Sequence, residues 1–236
     1  MLSSITAQSS PQQIIIIIFT FLMMMLVSMP FHECAHGWMA SFLGDDTAER
    51  SGRLTLNPMA HIDPMGAIAM LLIGIGWAKP VPVNPSKCTR FKHIKPKGAM
   101  AITAAAGPLS NLLMAYIFMI AARVIFNVNF SLIMSGKESA AYYVYEALYM
   151  VASINIDLAI FNLLPVPPFD GSRIFLSFLP TKLYFKVMKY ERIIMGIMMI
   201  LLLLGAFSLI LNISSIYLSY WFWQGTDFVD YIVAIN

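Results

Sequence analysis

The chain has 236 residues, of which 59% are hydrophobic and only 11% are charged. Soluble globular proteins carry about a quarter charged residues, so this chain has too few to cover a water-facing surface. Disorder is excluded as well, because a disordered chain combines low hydrophobicity with high charge. The net charge is only +3, and the cations cluster in two stretches that indicate membrane topology rather than nucleic-acid binding.

Apolar stretches long enough to cross a bilayer recur along the chain. A bilayer core about 30 Å thick needs about 20 apolar residues in helical form. The first such stretch is Ile14–Phe31, with a helical pattern that continues to Phe42 and a stop signal at Gly44. Further spans are predicted at Gly98–Ala122, Ala140–Leu164 and Ile193–Ile216, the last followed by an aromatic belt of Tyr217, Tyr220, Trp221 and Trp223.

Two shorter segments lie between the first and second spans. Pro64–Ala78 is apolar but short for a crossing, which predicts a re-entrant or buried helix. Thr47–Arg50 and Arg53–Asn57, joined by Ser51-Gly52, predict a small β-hairpin. The exposed edge of such a hairpin would suit an extended substrate, and a purely structural hairpin fits the pattern equally well.

The expected fold class is therefore an all-α polytopic membrane protein. It has about four transmembrane helices, one short buried or re-entrant helix and one small membrane-associated β-hairpin. We expect a single domain over residues 1–236, with a catalytic core at about 14–178 and the C-terminal span at about 193–216 followed by the aromatic tail.

The basic residues orient these spans. Lys79–Lys97 carries six cations and no acid, and Arg173–Arg192 carries five cations and one acid, whereas Asn127–Glu146 carries only Lys137 against two acids. The positive-inside rule places the first two stretches in the cytoplasm and the third outside. The first span and Ala140–Leu164 then both end on the cytoplasmic side. Arg123 and Glu146 fall near the external ends of adjacent spans, so we expect them to pair.

His32, Glu33 and His36 form an H-E-x-x-H pattern at the end of the first span. Residues four apart share a helix face, so the two histidines can ligate one metal ion together. Glu33 lies about 100° round the helix from His32, where it can take a proton from an attacking water. Ionisable groups inside a span are costly and usually functional, which favours a metal site over packing histidines. Cys34 points about 200° away from His32, so we expect it to pack elsewhere.

A third ligand is expected from the stretch Phe161–Gly171, because a catalytic zinc site takes three protein ligands. Its three prolines cannot continue a helix, so the span must unwind there. Non-helical backbone at membrane depth is tolerated only inside protein or beside a watery cavity. Asp170 follows the prolines, and it is either a metal ligand or the cap of a helix that starts near Ser172. The arrival of both motifs at the same membrane face favours the ligand.

These two motifs resemble those of the site-2 protease family, the M50 intramembrane zinc metalloproteases. The resemblance is carried by His32–His36 (HECAH) and Asn162–Gly171, with support from Gly52–Pro58 (GRLTLNP) and Ala106–Asn111 (AGPLSN). It runs in the family's order from about Phe21 to Phe178. The chain is most similar to compact prokaryotic members that lack PDZ and CBS domains.

The resemblance implies one Zn²⁺ per chain, held by His32, His36 and Asp170. It also implies that Glu33 is the general base and that Asn162 steadies the tetrahedral oxyanion. The implied substrate is a transmembrane protein, cut in or near its membrane segment by a multi-pass enzyme whose site faces the cytoplasm. No nucleic-acid partner is expected, and the oligomeric state is left open.

Four more residues are expected to line the site, and each has a structural alternative. Asn111 would lie near the metal on the neighbouring span, or else bond between packed helices. His61 would act next to the ligands, or else be a satisfied loop histidine. Leu54 and Thr55 would lie on the hairpin edge that meets the substrate.

Other functions are compatible with the same residues. One is a catalytically silent membrane scaffold, and another is a metal or proton carrier. A carrier usually shows two related halves with broken helices in corresponding places, whereas this chain shows one break and no duplication. A di-iron membrane oxidase would need more than the four histidines present. Asp157, in mid-span, has no expected partner.

Overall fold

The computed structural model of the chain describes residues 10–73, 76–136 and 138–234. Within those ranges the chain is helical and contains no strand, so the all-α expectation is confirmed. The helices are α1 Pro11–Met23, α2 Met29–Leu43, α3 Thr47–Arg50, α4 Pro64–Ile73, α5 Pro96–Val128, α6 Phe130–Met134, α7 Ala140–Asn162, α8 Asp170–Ser177, α9 Thr181–Lys189, α10 Glu191–Leu203, α11 Ser208–Gln224 and α12 Phe228–Ala234. Short 3₁₀ turns occur at Pro58–Ala60 and Pro85–Lys87.

The first long helix is continuous from Pro11 to Leu43 and carries the H-E-x-x-H pattern near its end. Ser10 caps its start by accepting the backbone N–H of Gln13. A π-helical turn, Met24–Ser28, joins α1 to α2. It ends two residues before Pro30, which has no N–H to donate to the preceding turn, so the wider turn and the proline occur close together. The helix ends at Gly44, whose φ of 112° is the left-handed conformation that glycine adopts easily.

Two further helices, α5 and α7, complete the set that is long and apolar enough to cross a membrane. They pack on each other through a buried cluster of Ala115 and Met119 from α5 with Ala152 and Ile156 from α7. The small alanines allow the two backbones to approach closely. Helix α5 also packs against α2, which carries His32 and His36, and against α8, which begins at Asp170. It is therefore the central helix that contacts both parts of the predicted metal site.

The predicted fourth span is not continuous in the structure. Residues Ile193–Ile216 are divided between α10 and α11, which are separated by a turn at Gly205 with φ of 72°. Helices of 13 and 17 residues are about 20 and 26 Å long, shorter than α5 or the Pro11–Leu43 helix. The described residues therefore contain three helices of membrane-spanning length rather than four.

The predicted β-hairpin is wrong. Thr47–Arg50 forms the short helix α3, and Arg53–Asn57 lies in an irregular segment. The carboxylate of Asp45 accepts the Thr47 N–H at 3.0 Å, and this bond to the first residue of α3 stabilises a helical turn instead of a strand. The predicted helix at Pro64–Ala78 does not reach its expected end: α4 is described over Pro64–Ile73, and Ala78 forms an isolated antiparallel bridge with Ile62.

The expected pair between Arg123 and Glu146 is also wrong. Arg123 donates from Nε to Asp230 Oδ1 at 2.7 Å, and its Nη1 lies 2.7 Å from Asp227 Oδ1. Its guanidinium also stacks over the ring of Trp223, 4.8 Å from the ring centre. These contacts attach the C-terminal residues to the end of α5.

Candidate metal centre

Three side chains from distant parts of the chain converge where α2, α5 and α8 meet. Nε2 of His32 and Nε2 of His36 lie 3.1 Å apart. Each nitrogen is 3.2 Å from Oδ2 of Asp170. Among the described residues, this is the cluster of histidine, cysteine or acidic side chains whose ligand atoms could hold one metal ion. The three side chains that the sequence indicates as candidate metal ligands therefore lie together.

The spacing of the three atoms fits a tetrahedral zinc site. Ligand atoms about 2.0–2.1 Å from zinc at tetrahedral angles are roughly 3.3 Å from one another, close to the separations here. Two neutral imidazoles and one carboxylate are ligands that zinc accepts, and they leave one position open.

The outer nitrogens of both rings support the same assignment. A histidine that ligates through Nε2 carries its proton on Nδ1 and needs an acceptor there. The carbonyl oxygen of Thr103 lies 2.8 Å from Nδ1 of His36, and the side-chain amide of Asn111 lies 3.1 Å from Nδ1 of His32. Oδ1 of Asn111 is buried without a partner in the described chain. A half-turn of that amide, whose oxygen and nitrogen exchange places, supplies the acceptor and satisfies Oδ1.

Asp170 reaches the histidines because the chain unwinds before it. Helix α7 ends at Asn162, and the proline-rich residues lead into α8, whose first residue is Asp170. The expected break in the span is therefore confirmed, and Asp170 opens the next helix instead of capping it from outside. Gly171 makes this turn possible: a Cβ there would come within 2.6 Å of the Leu164 carbonyl oxygen.

Gly107 in α5 forms the wall of the site opposite the two histidines. A Cβ at this position would lie 2.5 Å from Nε2 of His36 and 2.6 Å from Cε1 of His32. Both distances are too short for real carbon contacts, so only glycine lets α5 pack directly against the imidazoles. The sequence contained this residue in the Ala106–Asn111 segment but did not predict its role.

Glu33 is oriented by a backbone amide from another segment. Its Oε2 accepts the N–H of Val81 at 3.0 Å. Val81 lies between Pro80 and Pro82, neither of which has an N–H to donate. The same segment continues to Asn84, whose N–H is donated to Oδ2 of Asp45 at 2.5 Å. We call residues 79–84 the strap.

The remaining predicted site residues lie in several different places. Asn111 lies beside His32, as expected. Asn162 donates its amide to the Leu158 carbonyl at 2.9 Å within its own helix. Leu54 packs on the Gly37 side of α2, where a Cβ on Gly37 would meet Leu54 Cδ1 at 2.9 Å.

His61 and Thr55 form a separate buried group with Cys34. The Thr55 carbonyl oxygen is 2.6 Å from His61 Nε2 and accepts the Cys34 thiol at 2.7 Å. Cys34 is fully buried and His61 is only 1% exposed. Cys34 thus packs away from the metal cluster, as predicted, and the group holds the irregular segment around Thr55 against α2.

Comparisons with known proteins agree with this geometry. A model of the family described as Peptidase family M50 matches residues 127–205. YwhC of Bacillus subtilis (strain 168), which carries the name zinc metalloprotease, is 38% identical over 169 residues, covering 71% of this chain and 72% of YwhC. The Rip2 proteins of Mycolicibacterium smegmatis and Mycobacterium tuberculosis (strain H37Rv), also named zinc metalloproteases, are 26% and 27% identical. Those two matches cover 62% of this chain and 52% of each relative. No solved structure matches.

A helical fold with membrane-length helices and a partly buried His-His-Asp cluster is typical of a metal-dependent membrane enzyme. The chain belongs to peptidase family M50, the site-2 protease family, and it is a zinc-dependent metalloendopeptidase.

Proposed function

We propose that this metalloendopeptidase cleaves peptide bonds in or next to transmembrane segments, with His32, His36 and Asp170 as the zinc ligands and Glu33 as the general base. The observation that carries the proposal is the meeting of these three ligand atoms within 4.8 Å of one another at the end of a membrane-length helix. Cleavage of a soluble peptide would not require the metal centre to be carried by helices of membrane-spanning length and hydropathy.

The roles of the residues follow from their positions. Zinc bound here would lower the pKa of water and polarise the peptide carbonyl. The two imidazoles are held by Thr103 and Asn111, so the ligands are oriented before substrate arrives. Glu33 accepts the proton of the attacking water and later delivers it to the leaving amine. Val81 occupies one of its oxygens, Oε2, and Oε1 is the oxygen that takes the proton.

Asn162 is proposed as the donor for the developing oxyanion. Its amide already donates one hydrogen to Leu158, and a side-chain amide has a second hydrogen to offer. It occupies the last residue of α7, just before the proline-rich stretch that leads to Asp170. That position supports a role at the same site.

We also propose that the site opens to the cytoplasm. The end of α2 contacts the first basic stretch, where the Arg90 N–H donates to the Leu43 carbonyl at 3.0 Å, and the second basic stretch begins at Arg173, shortly after the end of α7. The positive-inside rule puts such stretches on the cytoplasmic face. Cys88 lies in the first of these stretches, and its side chain is only 7% exposed. A thiol reagent such as a maleimide should then label it from the cytoplasmic side, after local opening of the structure.

The decisive experiment compares Glu33→Gln with the native chain in zinc-containing liposomes. The substrates are a single-span reporter protein and a soluble peptide with the same cleavage sequence. We expect Glu33→Gln to retain zinc and to lose reporter cleavage by 100-fold or more, because a positioned base contributes about 10²–10⁴-fold. The native chain should cut the reporter and leave the soluble peptide largely intact.

The matched control is Glu49→Gln, the same change at an exposed position of α3. It should cleave at the native rate. Undiminished cleavage by Glu33→Gln would remove Glu33 as the base, and equal cleavage of the soluble peptide would remove the membrane-segment specificity.

A further inference from the structure

A basic surface is formed by residues that precede α5 and by residues on and after α9. It contains seven exposed cations from two separate stretches of the chain. We call this set the basic face: Arg90, Lys92, Lys95, Lys182, Lys186, Lys189 and Arg192. None of them forms an ion pair with any described residue. The acid nearest in sequence, Glu191, is already paired with Arg173 at 2.6 Å.

The fold brings the two stretches together through Lys97. Its ammonium donates to the Leu179 carbonyl, in the turn between α8 and α9. It also lies 5.6 Å from the ring centre of Tyr184 in α9. Since Lys97 is at the start of α5, the cations before α5 and those on α9 lie at the same end of the molecule.

Helix α9 is amphipathic in the manner of a membrane-surface helix. Lys182, Lys186 and Lys189 recur at helical spacing and share one face. Leu183 and Tyr190 each directly follow one of these lysines, so they lie on the adjacent face. Their side chains are 44% and 47% exposed. An exposed helix that combines cations with uncovered apolar side chains is typical of an interfacial helix.

The adjoining helix α8 adds a second apolar element. Phe178, at the end of α8, is 82% exposed, and Phe175 is 52% exposed on the same side. Phenylalanines this exposed would be costly in bulk water and favourable at the level of lipid headgroups. An acidic soluble partner would satisfy the lysines and leave these rings uncovered, so the combination favours a lipid surface.

We propose that the basic face and the exposed aromatic side chains beside it bind anionic phospholipids at the bilayer surface. Seven cations with no acid to neutralise them complement a negatively charged leaflet, where each lysine or arginine near the surface favours binding by about fivefold. This goes beyond the topology that the basic stretches indicate, because it assigns a lipid class to a defined surface.

The test measures lipid retention rather than proteolysis, so it is independent of the proposed function. The full chain is purified in detergent with equal amounts of phosphatidylglycerol and phosphatidylcholine, and the lipids that co-elute are quantified by mass spectrometry. We expect retained phosphatidylglycerol to exceed phosphatidylcholine by at least fivefold. Neutralising three cations together, in Lys182→Gln with Lys186→Gln and Lys189→Gln, should reduce this ratio by fivefold or more.

The matched control replaces the same three lysines with arginine and should keep the preference. Zinc content and elution volume report whether each variant is folded. Salt at 1 M, where the Debye length is about 3 Å, should also abolish the preference. An unchanged ratio in the glutamine variant would overturn the proposal. An equal loss of the phosphatidylglycerol preference in the arginine variant would overturn it too. The proposal would also fail if the chain bound a polyglutamate peptide and showed no preference for phosphatidylglycerol.

Discussion

Gly107 is the residue whose substitution tests the metal centre most directly. A methyl group there would press against both imidazoles at 2.5–2.6 Å, so in Gly107→Ala either the rings rotate or α5 moves away. Either movement separates the ligands from their hydrogen-bonding partners, a change that typically costs 10–100-fold in metal affinity. We therefore expect Gly107→Ala to bind zinc at least tenfold more weakly, measured by competition with a chromogenic chelator.

Gly98→Ala is the matched control, since it makes the same change in the same helix. A Cβ at Gly98 meets only Ile94 Cγ2 at 3.7 Å, an ordinary contact. It should bind zinc like the native chain. Native zinc affinity in Gly107→Ala would contradict the packing of α5 against the two histidines.

The proximity of the two histidines and Asp170 could be predicted from sequence, whereas the packing of Gly107 against the histidines could not. The histidines are four residues apart on one helix, so spacing alone puts them together. Asp170 follows three prolines that force the span to unwind. Gly107 has the same local pattern as any glycine in a packed span. Its role depends on which side chains lie opposite it, and these belong to a helix more than 60 residues earlier in the chain.

At the scale of elements, the strap controls the orientation of Glu33. The Val81 N–H is the strap's donor to the Glu33 carboxylate, and hydrogen bonds to charged groups contribute about 1.5–3 kcal/mol. Val81→Pro removes the donor, and its neighbours on both sides are already prolines, so the segment tolerates extended, proline-rich backbone. We expect kcat for reporter cleavage to fall by about tenfold or more, with zinc content unchanged.

Val81→Ala is the control for lost packing, since it removes two methyl groups and keeps the N–H. Its kcat should stay within about threefold of the native value. Equal rates in Val81→Pro and Val81→Ala would show that the Val81 amide does not orient Glu33, the proposed base.

The errors at this scale have local physical causes. The apolar pattern of Ile193–Ile216 predicted one span, but periodicity does not show that Gly205 adopts a left-handed conformation that interrupts the helix. Ser51-Gly52 predicted a hairpin turn. The preceding Thr-Ala-Glu-Arg residues instead form one helical turn supported by Asp45. In contrast, the three long helices were predictable because each contains a long apolar stretch. A glycine, Gly44, also marks the end of the first, and prolines follow the end of α7.

At the scale of the whole molecule, Arg123 attaches the C-terminal residues to the central helix. The contact between Arg123 and Asp230 spans 107 residues, and no local pattern predicts it. Asn127, one turn further along α5, donates to the same carboxylate at 2.6 Å. Arg123 is only 8% exposed, so its charge depends on these acids for compensation. The α11–α12 region is therefore held to α5 mainly by one ionic cluster and the aromatic packing around Trp223.

This attachment should make stability depend on pH through Asp230. The guanidinium hydrogen bond from Arg123, assisted by Asn127, lowers the pKa of Asp230 below its ordinary value. A carboxyl group with a lowered pKa in the folded state stabilises the fold above the ordinary pKa, about 3.9, and loses that contribution as the pH falls towards the folded value. We expect Asp230→Asn to unfold a few degrees below the native chain at pH 7, and this difference to shrink below pH 4. Scanning fluorimetry of the detergent-solubilised chains measures it, with Glu49→Gln, an exposed acid, as the control that should follow the native curve. A difference that stayed constant from pH 7 to pH 3 would show that the ionised carboxylate of Asp230 does not hold the C-terminal helices in place.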